Sequence, residues 1–478
     1  MPNDRRILIA PLLLTLAACA RDAPPDAELT KDALPDKPPE AFASPVGDPG
    51  QVKDGWLATF EEPVLLALVA EAQEKNRDLA AARFRLDQAA AQARQAGADL
   101  MPQVGYAVGA TTSGQGSART SQMGAGLTLS WELDVWGRLS SAQQAAQEDF
   151  ASRAADLEFA RQSLAAQVAK GWFLCIQALQ QEQIAIAYAG LQKRNVELTE
   201  LREQNGRATA YDSALARSAK ATAEDNVRKA RSGRERSTRS LELLLGRYPR
   251  AELVDTAILP KLPAAPPAGM PSQLLERRPD LVAATRRVAA AFNQVESAKA
   301  ARLPRLSITA NGGAASQGFQ DLSLDDVFWN VAANMVGPIF DGGRLKEQVV
   351  IETAKQNEAL ALFGGAALKA FREVEEALAE DARLAERVAL TETAALEQGE
   401  AERLATLRYD AGAIDQLALI LVQARTLDAR LAAVAMKVER LSNRVDLHLA
   451  LGGSFEAPPP TPEDALPASK VVPAQAKP

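Results

Sequence analysis

Leu127-Thr128-Leu129-Ser130-Trp131-Glu132-Leu133-Asp134-Val135-Trp136-Gly137-Arg138-Leu139 changes its period part-way along. Leu127, Leu129, Trp131 and Leu133 fall on one side while Thr128, Ser130, Glu132 and Asp134 fall on the other, the alternation of a strand with one apolar and one polar face. Beyond Gly137 the alternation stops. From Ser140 to about Gln204 the chain is rich in Ala, Gln, Glu and Leu, has no Pro, and reads as one very long helix. A strand apolar outside and polar inside, running straight into a helix far longer than a globular core needs, fits a barrel in lipid joined to a helical tube in water.

A second copy of this layout follows, and the repeat decides the architecture. Arg278-Pro279-Asp280-Leu281 answers Arg77-Asp78-Leu79, and Leu303-Pro304 answers Met101-Pro102. Leu306, Ile308 and Ala310 alternate as one strand; after a loop over 311–326, Trp329, Val331, Ala333, Met335 and Ile339 alternate as the next. Phe340-Asp341-Gly342-Gly343-Arg344-Leu345 then matches Asp134-Val135-Trp136-Gly137-Arg138-Leu139 at the shift of 206 positions that separates Arg138 from Arg344. The same shift carries Leu201-Arg202 with Gly206 onto Leu407-Arg408 with Gly412, and Leu245-Gly246 onto Leu451-Gly452. Each half reads helix, strand, loop, strand, very long helix, glycine turn, helix.

The resulting plan is a signal peptide at 1–18, an N-terminal arm at 19–60 and a first repeat at 61–258 with a β-hairpin at 102–135 and a helical hairpin at 139–245. A proline-rich linker at 259–271 leads to a second repeat at 272–453, with a β-hairpin at 304–340 and a helical hairpin at 344–451, and then to a disordered Pro/Ala tail at 454–478. Pro63 to about Ala98 reads as helix, and the Gly/Ser/Thr/Gln-rich stretch Thr111 to Gln122 as a flexible surface loop. In the long helices Phe150, Leu157 and Leu164 are spaced by seven, while Phe371, Val374 and Leu378 step by three and four, the seams of coiled coils.

Composition excludes several classes of function. Aromatics make up 5% of 478 residues, too few for a large aromatic-lined pocket, and a formal charge of −7 with no basic patch carrying interleaved aromatics argues against nucleic acid. His448, the one histidine, lies among Leu447, Leu449 and Leu451 and reads as packed or at an interface, not as a general base. No phosphate loop, nucleophile elbow or zinc spacing is present, so neither enzymatic activity nor a metal or other cofactor is expected. Cys175 sits in an apolar run and reads as a small buried hydrophobe.

Arg5-Arg6, the apolar run Ile7 to Leu16 and the small residues Ala17-Ala18 form a secretion signal too short to span a bilayer. Its end, Leu16-Ala17-Ala18-Cys19, resembles a bacterial lipobox, which implies cleavage before Cys19 and acylation of its thiol, palmitate included; an ordinary signal with an incidental Cys is the alternative. Ala20 stands where an inner-membrane retention signal has Asp, which favours the outer membrane.

A sheet facing lipid must close, because unpaired backbone groups in hydrocarbon cost several kcal/mol each. Four strands cannot close alone, since membrane barrels start at about eight; two chains would supply eight and three would supply twelve with a lumen. Trp131, Trp136, Phe328 and Trp329 lie near strand ends, where an aromatic girdle belongs, although soluble sheets place aromatics there too.

Trp131-Glu132-Leu133-Asp134-Val135-Trp136-Gly137-Arg138, Gly337-Pro338-Ile339-Phe340-Asp341-Gly342-Gly343-Arg344-Leu345 and Leu274-Leu275-Glu276-Arg277-Arg278-Pro279-Asp280-Leu281 resemble the signatures of the outer-membrane factor (TolC-like) family. More narrowly they resemble its NodT/OprM branch of lipoproteins that serve RND efflux pumps. The resemblance implies a homotrimer, in which four strands per chain form a 12-stranded membrane β-barrel above a long α-helical barrel, the coiled-coil periplasmic tunnel. It also implies a lipid-anchored place in the outer membrane of a Gram-negative bacterium, reaching into the periplasm. The partners implied are a periplasmic adaptor and an inner-membrane RND transporter, and the function is a passive conduit for drugs and small toxic compounds.

In the family the turns carrying Gly206 and Gly412 form the tunnel's periplasmic mouth. Around the second turn Asp410, Asp415 and Leu417 are the expected constriction, with Leu417 at the position of a gate leucine. The family's acid one helical turn later is Leu421 here, leaving Asp415 to substitute; Asp415 reads equally as a helix N-cap, and Asp410 as a solvated turn residue. A protein-secretion duct of the same fold and a periplasmic coiled-coil adaptor are the other readings.

Overall fold

The computed structural model describes residues 24–31, 33–34, 39–44, 50, 52–116, 118–252, 258–317 and 327–456. The signal segment, Cys19 and the tail beyond 456 lie outside them. In chain order the elements are α1 (Asp26–Leu29), a short 3-10 turn at Trp56–Phe60, α2 (Pro63–Lys75), α3 (Arg77–Ala98), β1 (Gln103–Gln115), β2 (Ala118–Leu133), α4 (Arg138–Gln204) and α5 (Ala210–Leu244). A second series follows as α6 (Leu274–Arg277), α7 (Pro279–Ala300), β3 (Arg305–Gln317), β4 (Val327–Val336), α8 (Arg344–Asp410) and α9 (Gln416–Ala450). Both α4 and α8 have 67 residues, about 100 Å of helix at 1.5 Å per residue. Among the described residues no helix is long and apolar enough to cross a membrane.

The repeat holds element by element. The starts of α4 and α8, Arg138 and Arg344, are 206 positions apart, as are those of α5 and α9, Ala210 and Gln416. Before the strands the offset is smaller, 202 positions from Arg77 to Pro279 at the heads of α3 and α7, so the two halves differ in length between those points.

Two compact units divide the chain. The first holds residues 1–37, 81–158 and 279–368, and its centre is an antiparallel sheet in the order β1-β2-β3-β4. Register sets the chemistry of its faces. Tyr106 pairs with Leu127 and Gly312 with both Leu127 and Trp329, while the next rung on that face joins Val104, Leu129, Ala310 and Val331. Trp131, Ile308 and Ala333 follow, then Leu133, Leu306 and Met335. The intervening rungs carry Gln103, Ser130 and Thr309, or Thr128, Asn311 and Asn330, on the other face. One face is therefore apolar from Val108 to Leu133 and the other polar, and both are open to the surroundings of the single chain.

Several expectations change here. Thr111 to Gln122 is not a loop: β1 runs to Gln115 and β2 begins at Ala118, with Thr112 facing Ser121 at 3.1 Å between their hydroxyls. Gly is a poor strand former but Thr is a good one, and the backbone pairing of Val104 to Val108 with β2 continues unbroken through the segment. The helix expected over Pro63 to Ala98 breaks at Asn76, whose Oδ1 accepts from the Leu79 amide at 2.9 Å and caps α3 while its Nδ2 donates to the Leu244 carbonyl. β4 ends at Val336, two residues before Pro338, so Ile339, expected in the fourth strand, lies outside it.

The second unit holds 38–80, 159–278 and 369–478. Its core gathers Leu65, Trp172, Phe173, Ile176, Leu241, Leu447 and Leu451. Trp56 and Phe60 are buried in it too, Trp56 stacked on His448 at 5.6 Å and Phe60 against Phe173 at 5.5 Å, so the arm expected to reach residue 60 becomes core from Gly55 onward. At the other end Phe455 is buried and the Gly55 amide donates to the Ser454 carbonyl, so the first residues of the expected tail are packed as well. Phe42 enters the apolar cluster around Val374, Leu378 and Leu447, and the Glu375 carboxylate accepts from the amides of Ala43 and Ser44 at 2.7 and 2.8 Å.

Candidate functional site

Two places concentrate the residues singled out by sequence: the corners where strands become long helices, and the turns where those helices reverse.

At the first corner the Asp134 carboxylate accepts from the amides of Leu139 and Ser140 at 2.9 and 2.8 Å, capping α4. Gly137 turns the chain at φ 74°, and Arg138 grips Glu132 through both carboxylate oxygens at 2.9 Å. Trp136 is occupied by a structural bond, its indole N–H donating to the Pro304 carbonyl at 2.6 Å, and Trp131 donates to Leu100 at 2.9 Å. Phe328 and Trp329 are exposed on the sheet, and among the described residues the Trp329 indole makes no such bond. At the second corner Asp341 accepts from the amides of Leu345 and Gly343, both at 3.0 Å, and the Leu345 amide foremost holds its carboxyl below the usual range. Gly342 and Gly343 turn the chain at φ 67° and 89° ahead of Arg344. The sequence match sets Asp341 beside Val135, but the residue doing its work is Asp134: two glycines before Arg344 move the cap by one position.

Arg278 is buried, with its guanidinium 2.8 Å from Glu373 and 3.2 Å from the Ala450 carbonyl. Pro279 opens α7, and the neighbouring Asp280 carboxylate accepts from the Leu281 amide at 3.0 Å. These residues of the third motif are structural supports.

The two helix reversals are built alike. Gly206 (φ 70°) and Gly412 (φ 73°) each donate back into the last turn, to Glu203 and Tyr409, and the next amides reach Arg202 and Arg408 at 2.7 and 2.8 Å. That pair of bonds closes a helix through a left-handed residue, the conformation glycine adopts without cost. Asp415, at the position equivalent to Thr209, is the N-cap of α9: its carboxylate accepts from the Ala418 amide at 2.8 Å, as Thr209 receives from Asp212 in α5. Leu417 and Leu421 are exposed on α9. Asp410 is not a lone solvated acid; Arg202 lies 3.1 Å from it and stacks over the Tyr409 ring at 4.4 Å.

Sequence reading missed Arg202 as a partner, and it missed a buried polar seam beside these turns. Gln192 and Asn195 of α4 donate to Gln423 Oε1 of α9 at 2.9 and 2.8 Å, and Thr199 reaches Gln416 at 3.3 Å. All five are buried, and among the described residues Nε2 of both Gln416 and Gln423 lacks a partner. The signal was available: Gln192 and Thr199, like Gln416 and Gln423, are seven apart at seam positions.

His448 is packed, and burial above all, with Arg444 adding to it, pushes its imidazole down to about 4, so the ring is neutral at ordinary pH. Burial pushes the Cys175 thiol up to about 11, which makes it inert. Among the described residues no group of three or more His, Cys, Asp or Glu is placed to hold a metal.

Comparison with known proteins agrees with the doubled architecture. The family model described as "Outer membrane efflux protein" matches twice, over residues 68–247 and 270–453. The pyoverdine export outer membrane protein OpmQ of Pseudomonas putida is 31% identical over 480 residues, covering 96% of this chain and all of that protein. Outer membrane protein OprJ of Pseudomonas aeruginosa is 29% identical, covering 84% and 86%. Among solved structures, the outer-membrane channel OprN superposes with a TM-score of 0.80 at 27% identity over 88% of this chain and 99% of that one. CusC does so with 0.76 at 25% over 87% and 100%. The chain belongs to the outer membrane efflux protein family, has the TolC-like fold of its channels, and is an efflux channel component of the outer membrane.

Proposed function

We propose that three copies pool their sheets into a 12-stranded barrel, lipid outside and water inside, continued by a coiled-coil tunnel in the periplasm. The observation that carries this is the sheet itself. It has one apolar and one polar face, and in the order β1-β2-β3-β4 its outer strands each pair on one side only. The apolar rungs from Ala125 to Leu133 run about 27 Å along the strand, close to the ~25 Å apolar band of membrane barrels. A sheet of this kind cannot end in lipid, so copies must supply the missing neighbours.

The duct is passive. It serves a tripartite RND-type system in which a periplasmic adaptor and an inner-membrane transporter deliver drugs or other small toxic compounds and open the periplasmic end. Acylated Cys19 anchors the arm. Gly206 and Gly412 mark the tunnel mouth, where three-fold symmetry turns Leu417 into an apolar ring and Asp410 and Asp415 into acidic ones. The test is reconstitution: detergent-purified protein is expected to run as a heat-modifiable trimer, to conduct in planar bilayers, and to restore drug tolerance to an efflux-deficient host only alongside its pump. A detergent-free monomer without conductance ends the reading.

A further inference from the structure

Two adjacent aromatic residues of β4 face opposite surroundings. β3 and β4 pair without a bulge from Arg305 with Val336 to Ala314 with Val327, so side chains alternate strictly along the strand. Trp329 therefore shares the apolar face with Tyr106, Leu127 and Gly312, while Phe328 shares the polar face with Ala107, Gly126 and Gly313. Both belong to the aromatic set expected for a girdle, but a one-residue step changes face, and register leaves only Trp329 of the pair for that role. The rungs flanking Phe328 on its own face hold Gly109, Gly124 and Ala315 on one side and Gly105, Thr128, Asn311 and Asn330 on the other. Among the described residues of the polar face, Phe328 is the one aromatic side chain.

Its cross-strand neighbours carry almost nothing. A side chain at Gly313 would run into the Ala125 carbonyl, and a Cβ at Gly126 would stand 2.8 Å from the Gly312 carbonyl oxygen. The close approach of β2 and β3 thus holds both positions to glycine. The bare backbone leaves a hollow of about 610 Å³ beside the ring, bordered by Gly124, Gly126, Thr128, Asn311 and Asn330. Phe328 is 47% exposed there. Left half open on the polar side, the ring contributes little to the fold by burial, and its free face is available to a solute.

Size decides what such a ring can do. Twelve strands about 4.8 Å apart and tilted by about 40° enclose a wall of roughly 12 Å radius at the backbone. Aromatic rings touch at centroid separations up to about 7 Å, so three related by a three-fold axis would have to stand within about 4 Å of it. A benzyl side chain falls well short of bridging that difference. Phe328 therefore does not plug the duct; it stays on the wall, a flat apolar face beside a floor of bare backbone.

We propose that Phe328 is a specificity-determining residue of the duct, a stacking position on the inner wall, one per chain, that favours flat aromatic solutes over saturated ones of the same charge. This rests on the barrel argued above, whose water side is the polar face. The solute lays its ring against Phe328 and extends over the Gly126 and Gly313 backbone, where no side chain stands in its way. Thr128, Asn311 and Asn330, one rung towards the corners, offer hydroxyl and amide groups to a polar substituent. A single wall contact of this kind holds a solute briefly and releases it, as conduction requires.

Block of single-channel current in planar bilayers tests this on the full-length trimer. The probes are naphthalene-2-sulfonate and hexane-1-sulfonate, equal in charge and different in the ring. Phe328→Leu is expected to raise the concentration of naphthalene-2-sulfonate that halves the current about 2- to 10-fold and to leave the hexane-1-sulfonate value unchanged. Phe328→Tyr should behave as wild type, and so should Trp329→Leu on the other face. Phe328→Cys should react with a water-soluble, membrane-impermeant maleimide, and Trp329→Cys should not. Equal block of wild type and Phe328→Leu by naphthalene-2-sulfonate, in intact trimers that label at position 328, overturns the stacking role and leaves the duct standing. Labelling at position 329 in place of 328, or wild-type protein that neither trimerises nor conducts, removes the barrel and the stacking role with it.

Discussion

The Arg202 guanidinium of α4 lies 3.1 Å from the Asp410 carboxylate of α8 and covers the Tyr409 ring at 4.4 Å, so one side chain joins the ends of both long helices. Arg202 is 28% and Asp410 55% exposed, so the ion pair is worth about 0–1 kcal/mol and the cation–π contact about 0.5–1. Arg202→Ala removes both and Asp410→Ala one. If this contact holds the mouth shut, Arg202→Ala is expected to raise single-channel open probability roughly 5- to 30-fold, the Boltzmann equivalent of about 1–2 kcal/mol. Asp410→Ala should do less. Equal conductance in wild type and both variants removes the pair from the gate.

The polar seam makes a different kind of prediction. Gln423 Oε1 accepts from both Gln192 and Asn195. Gln423→Ala leaves the buried Gln192 amide without its acceptor and Asn195 with only Gln192 Oε1, at 3.2 Å, and is expected to cost about 1–3 kcal/mol of stability. Replacing all three with Leu removes the unpaired groups together and should stabilise the helix pair. If α9 must shift against α4 for opening, the triple variant melts higher but exports less; a triple variant that melts higher with unchanged export shows the seam to be structural only.

How much of this was legible beforehand follows from which forces act locally. The doubled plan, the two-faced strands and the 206-residue offset are written in periodicity and glycine placement, and each is enforced by backbone geometry within a few residues. What was missed depends on distant partners. Asn76 breaks a helical pattern because its amide is held by Leu244, 168 positions away. Trp56 leaves the arm because His448 offers it a stacking surface. Arg202 could be read as a landmark of the repeat, but its meeting with Asp410 required the second half of the chain to be folded beside the first.

Two glycines with nearly the same φ should tolerate alanine very differently. At Gly412 a Cβ meets nothing within 4 Å, so Gly412→Ala is left with only the left-handed backbone penalty, about 1–2 kcal/mol. At Gly246 the same Cβ stands 2.4 Å from the Lys75 carbonyl oxygen. Gly246→Ala must also displace the backbone between α2 and α3 and is expected to abolish a stable trimer at 37 °C, where Gly412→Ala still assembles. Equal melting temperatures for the two contradict the close approach.

His448 sets a pH dependence. Its imidazole is down at about 4 in the fold against about 6.5 unfolded, so between those values the unfolded chain binds the extra proton. Its contribution is complete above pH 6.5 and is lost progressively as pH falls towards 4, by about 3 kcal/mol per chain in all. Melting temperature measured from pH 7.5 to 4.5 should fall, and His448→Phe, which keeps a ring against Trp56, should flatten that fall. Parallel slopes in the two proteins would exclude His448 as the titrating group.

Adjacent residues on β2 separate the two faces of the proposed barrel. Leu129 shares its face with Val104, Ala310 and Val331, and Ser130 shares the opposite face with Gln103 and Thr309. Arginine at a lipid-facing position near mid-bilayer costs about 2–4 kcal/mol, whereas a lumen position keeps its water. Leu129→Arg is therefore expected to block insertion or lower trimer yield in outer-membrane fractions. Ser130→Arg should assemble normally and, with three cations lining the duct, shift ion selectivity towards anions. The one-residue step is what gives the comparison its force: strand register admits no arrangement in which both side chains face lipid. If Ser130→Arg fails to insert while Leu129→Arg assembles, the barrel is inside out relative to the apolar face, and the three-chain closure argued from that face fails with it.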